Sequence, residues 1–213
     1  MVIVLKPEII FFSGPDGSGK TTQAKMVTAS LLERGLRARY VWMRWFAFLS
    51  YPLLGVCKLL GYTIRERCQP IRKYYRNRAI AHLWLQIFLL DYIIYVYLKR
   101  LYGKDEVLVV DRFMPDIFVD VIYDTRLNPL KSIIGKFFLL SMVRLLRGRA
   151  KGFLMYIDFK TAVERRDDIP SASYILFRIP LYLRLANYLG IPVLHGGKSI
   201  QENFNIVMSN LCE

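Results

Sequence analysis

The residues best suited to chemistry lie near the amino end. Gly14-Pro15-Asp16-Gly17-Ser18-Gly19-Lys20-Thr21 fits the pattern G-x-x-x-x-G-K-[ST], and Thr22 follows. Such spacing serves a polyphosphate. Glycines let the chain wrap tightly enough for several backbone N–H groups to converge on one anion. A helix starting at Lys20 adds the positive end of its dipole. In this pattern Lys20 reaches the β- and γ-phosphates of ATP, and the Thr21 hydroxyl ligates Mg2+. Asp16 is unusual beside a polyphosphate, which repels a carboxylate; it is expected to bind an acceptor hydroxyl or to pair with a cation. A second chemical cluster is basic. Arg65, Arg67, Arg72, Lys73, Arg76 and Arg78 fall within fourteen residues, which suits a solvated helix face or contacts with phosphate or nucleic acid.

The elements that must carry these residues alternate between strand and helix. Glu8 to Phe12 is a short apolar run entering the glycine-rich turn, and Lys20 to Arg34 has helical spacing closed by Gly35. Leu36 to Met43 alternates like a strand. Val107 to Val110 and Phe153 to Ile157 are continuous apolar runs of the kind that fully buried parallel strands show, and Pro192 to Leu194 is a short last strand. Helices are predicted at about 71–101, 115–126, 130–147, 161–167, 173–189 and 199–211. The order predicts a three-layer α/β fold: a central parallel sheet of about five strands with helices on both faces, in one domain over 1–213. Segment 45–80 is the least regular part.

Composition narrows the class. The chain has 213 residues, 54% of them hydrophobic, which excludes a disordered protein and supplies a sizeable core. Its formal charge of +14 favours anionic partners, whether nucleotide, nucleic acid or an anionic membrane surface. Cys57, Cys68 and Cys212, with only His82 and His195, fit neither a disulfide framework nor a metal cluster; reduced thiols in a cytoplasmic protein are expected. The apolar start is read as a buried strand, since Lys6-Pro7-Glu8 interrupts it. Leu83 to Leu98 is strongly apolar, but Gln86 and Asp91 break it and it is short for a span, so a buried helix and no membrane span are expected. Its Trp84, Phe88, Tyr92, Tyr95 stripe is assigned to the core.

In order and spacing, the phosphate loop with its internal Asp16, then Val41-Trp42-Met43-Arg44-Trp45, then Val107 to Phe113, then Ile157 to Asp168, resemble the thymidylate kinase family of P-loop nucleoside monophosphate kinases. The resemblance implies phosphorylation of dTMP to dTDP with ATP and Mg2+, in a homodimer. It implies that Asp16 holds the acceptor sugar and that Arg44 grips the acceptor phosphate. Asp111 would serve Mg2+ or orient the acceptor, and Arg112 would neutralise charge on the transferred phosphoryl group. Arg165 and Arg166 would open a lid over about 161–180 and, with Gly197 in the turn after the last strand, touch ATP. Segment 45–80 would form the acceptor region. The family reads thymine with an aromatic residue, three residues and an arginine. Tyr74 and Arg78 have that spacing, whereas ungapped alignment puts Leu90 at the arginine position, so the acceptor base stays open.

Three functions follow from these features. The first is a nucleoside monophosphate kinase acting on dTMP. The second keeps the phosphate loop and changes the acceptor to a polynucleotide end or a nucleoside, with Tyr74 and Tyr75 stacking bases beside the basic window. The third is a nucleic-acid-binding or membrane-surface P-loop ATPase in which nucleotide acts as a switch.

Overall fold

A computed structural model describes residues 8–43, 48–66, 69–101, 106–165 and 171–211. Five parallel strands form the centre: β1 (Ile9–Ser13), β2 (Ala38–Trp42), β5 (Val107–Asp111), β6 (Ala150–Tyr156) and β7 (Val193–His195). Their spatial order is β2-β5-β1-β6-β7. The inner strands β1 and β5 are apolar on both sides up to their carboxyl ends because both sides are covered, whereas the edge strand β2 is half-exposed and carries Arg39, paired with Glu106. Ile9, Phe11, Leu108 and Val110 point into one core, and Ile10, Phe12 and Val109 into the other. Helices α1 (Lys20–Glu33) and α8 (Ile200–Leu211) pack together on the second of these faces. The first face carries α3 (Arg78–Leu101), α4 (Met114–Thr125), α5 (Ile133–Leu146) and α7 (Ala172–Leu189). The expected three-layer α/β architecture is therefore present. Register sets the site: Phe12 lies opposite Asp111, and Trp42 lies opposite Asp111 from the other side. The carboxyl ends of three strands thus converge beside the phosphate loop, where ligands of open α/β sheets bind.

Segment 45–80 departs from expectation. The helix predicted to start near residue 71 begins at Arg78. Ahead of it lie α2 (Tyr51–Leu59), an antiparallel pair β3 (Thr63–Glu66) and β4 (Gln69–Arg72), and a single 3-10 turn at Tyr74–Arg76. Ile71 pairs with Ile64 across the two strands, so its register belongs to the sheet and not to a helix. Pro129–Lys131 likewise forms a 3-10 turn, and Ser132 caps α5 by accepting from the Gly135 N–H at 3.0 Å. The predicted helix over 161–167 spans Phe159–Arg165 as α6, and residues 166 and 167 lie outside the described part.

The apolar helix α3 is long and apolar enough over Arg78–Leu98 to cross a membrane by length and composition alone, and half of that window is buried against the fold. Trp84, Phe88 and Tyr92 are enclosed in the core, with Trp84 stacked on Phe88 at 4.9 Å. Asp91, the charge within this stretch, is buried for a reason. Its carboxylate accepts the N–H groups of Phe48, Leu49 and Ser50 at 2.8–3.1 Å and the Ser50 hydroxyl at 2.6 Å. It therefore pins the turn that leads into α2 from a distance of some forty residues in sequence. Next to it, the Tyr92 hydroxyl donates to the Met43 carbonyl at 2.8 Å.

Candidate active site

The phosphate loop takes the shape its residues require. Gly14 adopts φ +139°, and a Cβ there would lie 2.2 Å from the Met155 carbonyl oxygen of β6. No larger residue fits between that strand and the loop. Gly17 and Gly19 also have positive φ, and Gly19 occupies the cap position of α1. Among the described residues no side chain caps α1, so the amides at its head are left for an anion. Ser18 is buried in the loop, and Thr21 and Thr22 are exposed at the helix head.

Lys20 is buried and folds back over this loop, donating to the Pro15 carbonyl at 2.6 Å and to Ser18 Oγ at 3.3 Å. Burial first, and then the Arg112 guanidinium, lower its ammonium pKa to about 8; Asp16, Asp116 and Asp111 act in the opposite sense. A polyphosphate placed in the cradle would hold the proton on.

Thr21 and Asp111 meet at the same point. The Thr21 hydroxyl donates to Asp111 Oδ2 at 2.5 Å, and the Tyr40 hydroxyl donates to the same oxygen at 3.0 Å. Burial, followed by the Asp111 charge, pushes the Tyr40 phenol up to about 12. Asp111 is itself buried, and its Oδ1 has no hydrogen-bond partner. A buried carboxylate oxygen without a partner beside a helix-head hydroxyl fits a Mg2+ ion carried by a nucleotide. Thr21 and Asp111 are the residues that would hold it. Among the described residues no group of three His, Cys, Asp or Glu side chains could hold a metal unaided.

Arg112 continues the chain past Asp111 with φ +68°, a left-handed conformation that a residue with a side chain adopts at a cost of about 1–3 kcal/mol. Its guanidinium is buried and pairs with Asp16. Asp16 thus takes the cation-paired option open to it in the sequence. Pairing also explains how a carboxylate is tolerated in a phosphate loop, because Arg112 cancels its charge.

Sequence reasoning did not find Tyr40 or Asp116. Asp116 is fully buried in the first turn of α4. Its Oδ2 accepts the Phe113 N–H at 3.1 Å, while Oδ1 accepts the Gly14 N–H at 3.3 Å and the Tyr182 hydroxyl at 2.9 Å. Burial raises its pKa against the pull of Lys20 and Arg112. It ties the start of the phosphate loop to α4 and α7. Two further aspartates follow at four-residue steps along α4. Asp120 pairs with Arg178 at 2.6 Å and Asp124 with Arg72 at 3.6 Å, all four side chains being buried. Arg178 also lies over the Tyr174 ring at 4.1 Å. Three aspartates on one face of an apolar helix were the available signal.

The remaining expected residues are dispersed. Tyr74 is fully buried, 4.7 Å from Trp84, so its ring is not presented to a ligand. Arg78 is exposed and lines a cleft with His82, Arg126 and Lys131, away from the loop. Arg165 is exposed at the end of α6; Arg44 and Arg166 lie outside the described residues. The turn carrying Gly197 does adjoin the loop. A Cβ on its neighbour Gly196 would sit 3.2 Å from the Ser18 carbonyl oxygen, and Gly197 itself is exposed.

Comparison with known proteins adds no family here. No protein-family model matches the chain, and no curated protein matches it.

Proposed function

We propose that this chain transfers the terminal phosphoryl group of ATP to a nucleoside monophosphate, with dTMP as the leading acceptor. The observation that carries the reading is the Thr21–Asp111 contact with the unpartnered Asp111 Oδ1, set at the head of an uncapped helix behind a glycine loop. The resemblance to thymidylate kinases supports the acceptor. A small acceptor is favoured over a polynucleotide because, of the two rings a polynucleotide would stack on, Tyr74 is buried and the exposed Tyr75 has the Arg126 guanidinium over its ring at 5.4 Å.

In this mechanism the loop amides and Lys20 bind the β- and γ-phosphates, and Thr21 and Asp111 hold the accompanying Mg2+. Bound there, Mg2+ neutralises phosphate charge. Arg112 neutralises charge on the transferring group, and Asp16 takes an acceptor hydroxyl. An oxygen of the acceptor phosphate forms a bond to the γ-phosphorus as the bond from that phosphorus to the β–γ bridging oxygen breaks. ADP departs with that electron pair. An anionic acceptor oxygen needs no general base, so rate comes from positioning and charge stabilisation. A homodimer is proposed through α3, whose exposed Leu83, Leu90, Ile94 and Tyr97 form an uncharged stripe; a monomeric mass in solution scattering would remove that part.

The test is an acceptor screen with Mg-ATP labelled on the γ-phosphate. It compares dTMP, the other nucleoside monophosphates and 5′-hydroxyl oligonucleotides. Labelled dTDP is the expected product. Label found only on oligonucleotide, or only as free phosphate, overturns the proposal.

A further inference from the structure

The segment around α2 is unlike the rest of the surface. Phe48, Leu49, Tyr51, Val56, Leu59 and Leu60 are all exposed, Leu59 at 89% and Phe48 at 72% of their full area, and Cys57 is the one residue of α2 that is buried. Large apolar side chains so close together on a surface mark a binding face. This face is held firmly. Asp91 takes the three amides of the turn that leads into α2, as described above. At the tail the Tyr62 N–H donates to the Cys57 carbonyl, and the Tyr62 carbonyl accepts the Lys73 N–H at 2.8 Å. The Tyr62 bond brings the 3-10 turn at 74–76 beside the end of α2, and with it the exposed Arg76.

Charge selects the partner. Arg76 in the adjoining turn is exposed, residues 48–64 contain no carboxylate, and Arg72 is taken up by Asp124 in the interior. Lys58 is exposed within α2 itself. A second copy meeting this face would bring like charges together, whereas the stripe on α3 has no such obstacle. Nucleic acid would satisfy the cations but offers nothing to aliphatic Val56, Leu59 and Leu60. An anionic bilayer satisfies both: aliphatic and aromatic side chains enter the headgroup boundary, and Lys and Arg meet the lipid phosphates.

We propose that α2 and the residues leading into it dock this protein on an anionic lipid surface, without spanning it. The inference is independent of phosphoryl transfer, and either can fail alone. Flotation of the full chain with vesicles is the test, using phosphatidylcholine alone and phosphatidylcholine with a third phosphatidylglycerol. Binding is expected to the anionic vesicles and to weaken as salt is raised. Leu59→Asp, and separately Phe48→Ser, should each weaken partitioning by roughly tenfold while thermal melting stays as in the unaltered chain. Four results overturn the proposal. Three are equal binding to both vesicle types (no binding to either included), unaltered partitioning of both variants, and a dimer that Leu59→Asp dissociates. Oligonucleotide binding that outcompetes the vesicles and is lost in Leu59→Asp would assign the face to nucleic acid instead, and also overturns it.

Discussion

The phosphate loop and the acidic side of α4 meet at Gly14 but are built in opposite ways. The loop is made from contiguous residues whose main chain does the binding, and its side chains are small so that amides can converge. The α4 side is made from single aspartates, each answered by a partner far away in sequence: Asp116 by Tyr182, Asp120 by Arg178 and Asp124 by Arg72. The first arrangement offers charge to a ligand. The second uses up its charge internally, and so braces the first. A site of this kind needs both, because amides aimed at an anion lose their value if the strand ends carrying them drift by an ångström.

That contrast can be broken at four points. Lys20→Ala should have the largest effect, lowering phosphoryl transfer at least about 10³-fold with the melting profile retained; appreciable turnover would show the loop to be ornamental. Arg178→Met should chiefly cost stability, about 3–5 kcal/mol in urea unfolding, because Asp120 is left charged and unpaired in the interior. Adding Asp120→Leu should restore much of that loss, and a single variant as stable as the parent would refute the bracing role. ATP affinity should be flat below pH 8 and fall as the pH rises beyond it, by up to about tenfold at pH 9, since free Lys20 loses its proton near pH 8 and bound phosphate favours the ammonium. Calorimetry across pH 7–9 reads this directly, and a level profile would place the charge elsewhere. Asp116→Asn should be mildest, under about 1 kcal/mol near neutrality. The folded pKa of Asp116 lies above its unfolded value, so its contribution to stability is full in acid and disappears as the pH rises through the folded pKa. The asparagine variant should lack that dependence, and an identical pH–stability curve would count against a buried titrating group.

The two regions were also unequally legible. Strands β1, β5 and the second half of β6 could be read because both sheet faces are covered there, so their residues form continuous apolar runs, whereas Lys151 hid the start of β6. The loop could be read because its function lies in adjacent residues. The pair β3–β4 was hidden: Pro70 and a run of arginines disguise its alternation, and Ile71 and Arg72 then resemble the start of the long helix that follows. Tyr40 gave no sign of its role, since a tyrosine inside a strand is common and only the pairing of β2 with β5 brings its hydroxyl to Asp111. Asp91 reads as an interruption of an apolar stretch, and Asp120 is one of three aspartates spaced along α4. Each turns out to be answered by amides or a guanidinium from elsewhere, which no local pattern announces.

One consequence of the α3 contacts is mechanical. Asp91 grips residues 48–50 and its neighbour Tyr92 grips Met43, so adjacent positions on one rod hold the end of β2 and the turn before α2. Sliding or turning that rod as a rigid unit would carry both attachments together and leave their spacing unchanged. Only unwinding it between Asp91 and Tyr92 would part them, so Met43 and the turn before α2 ride on the helix as one body.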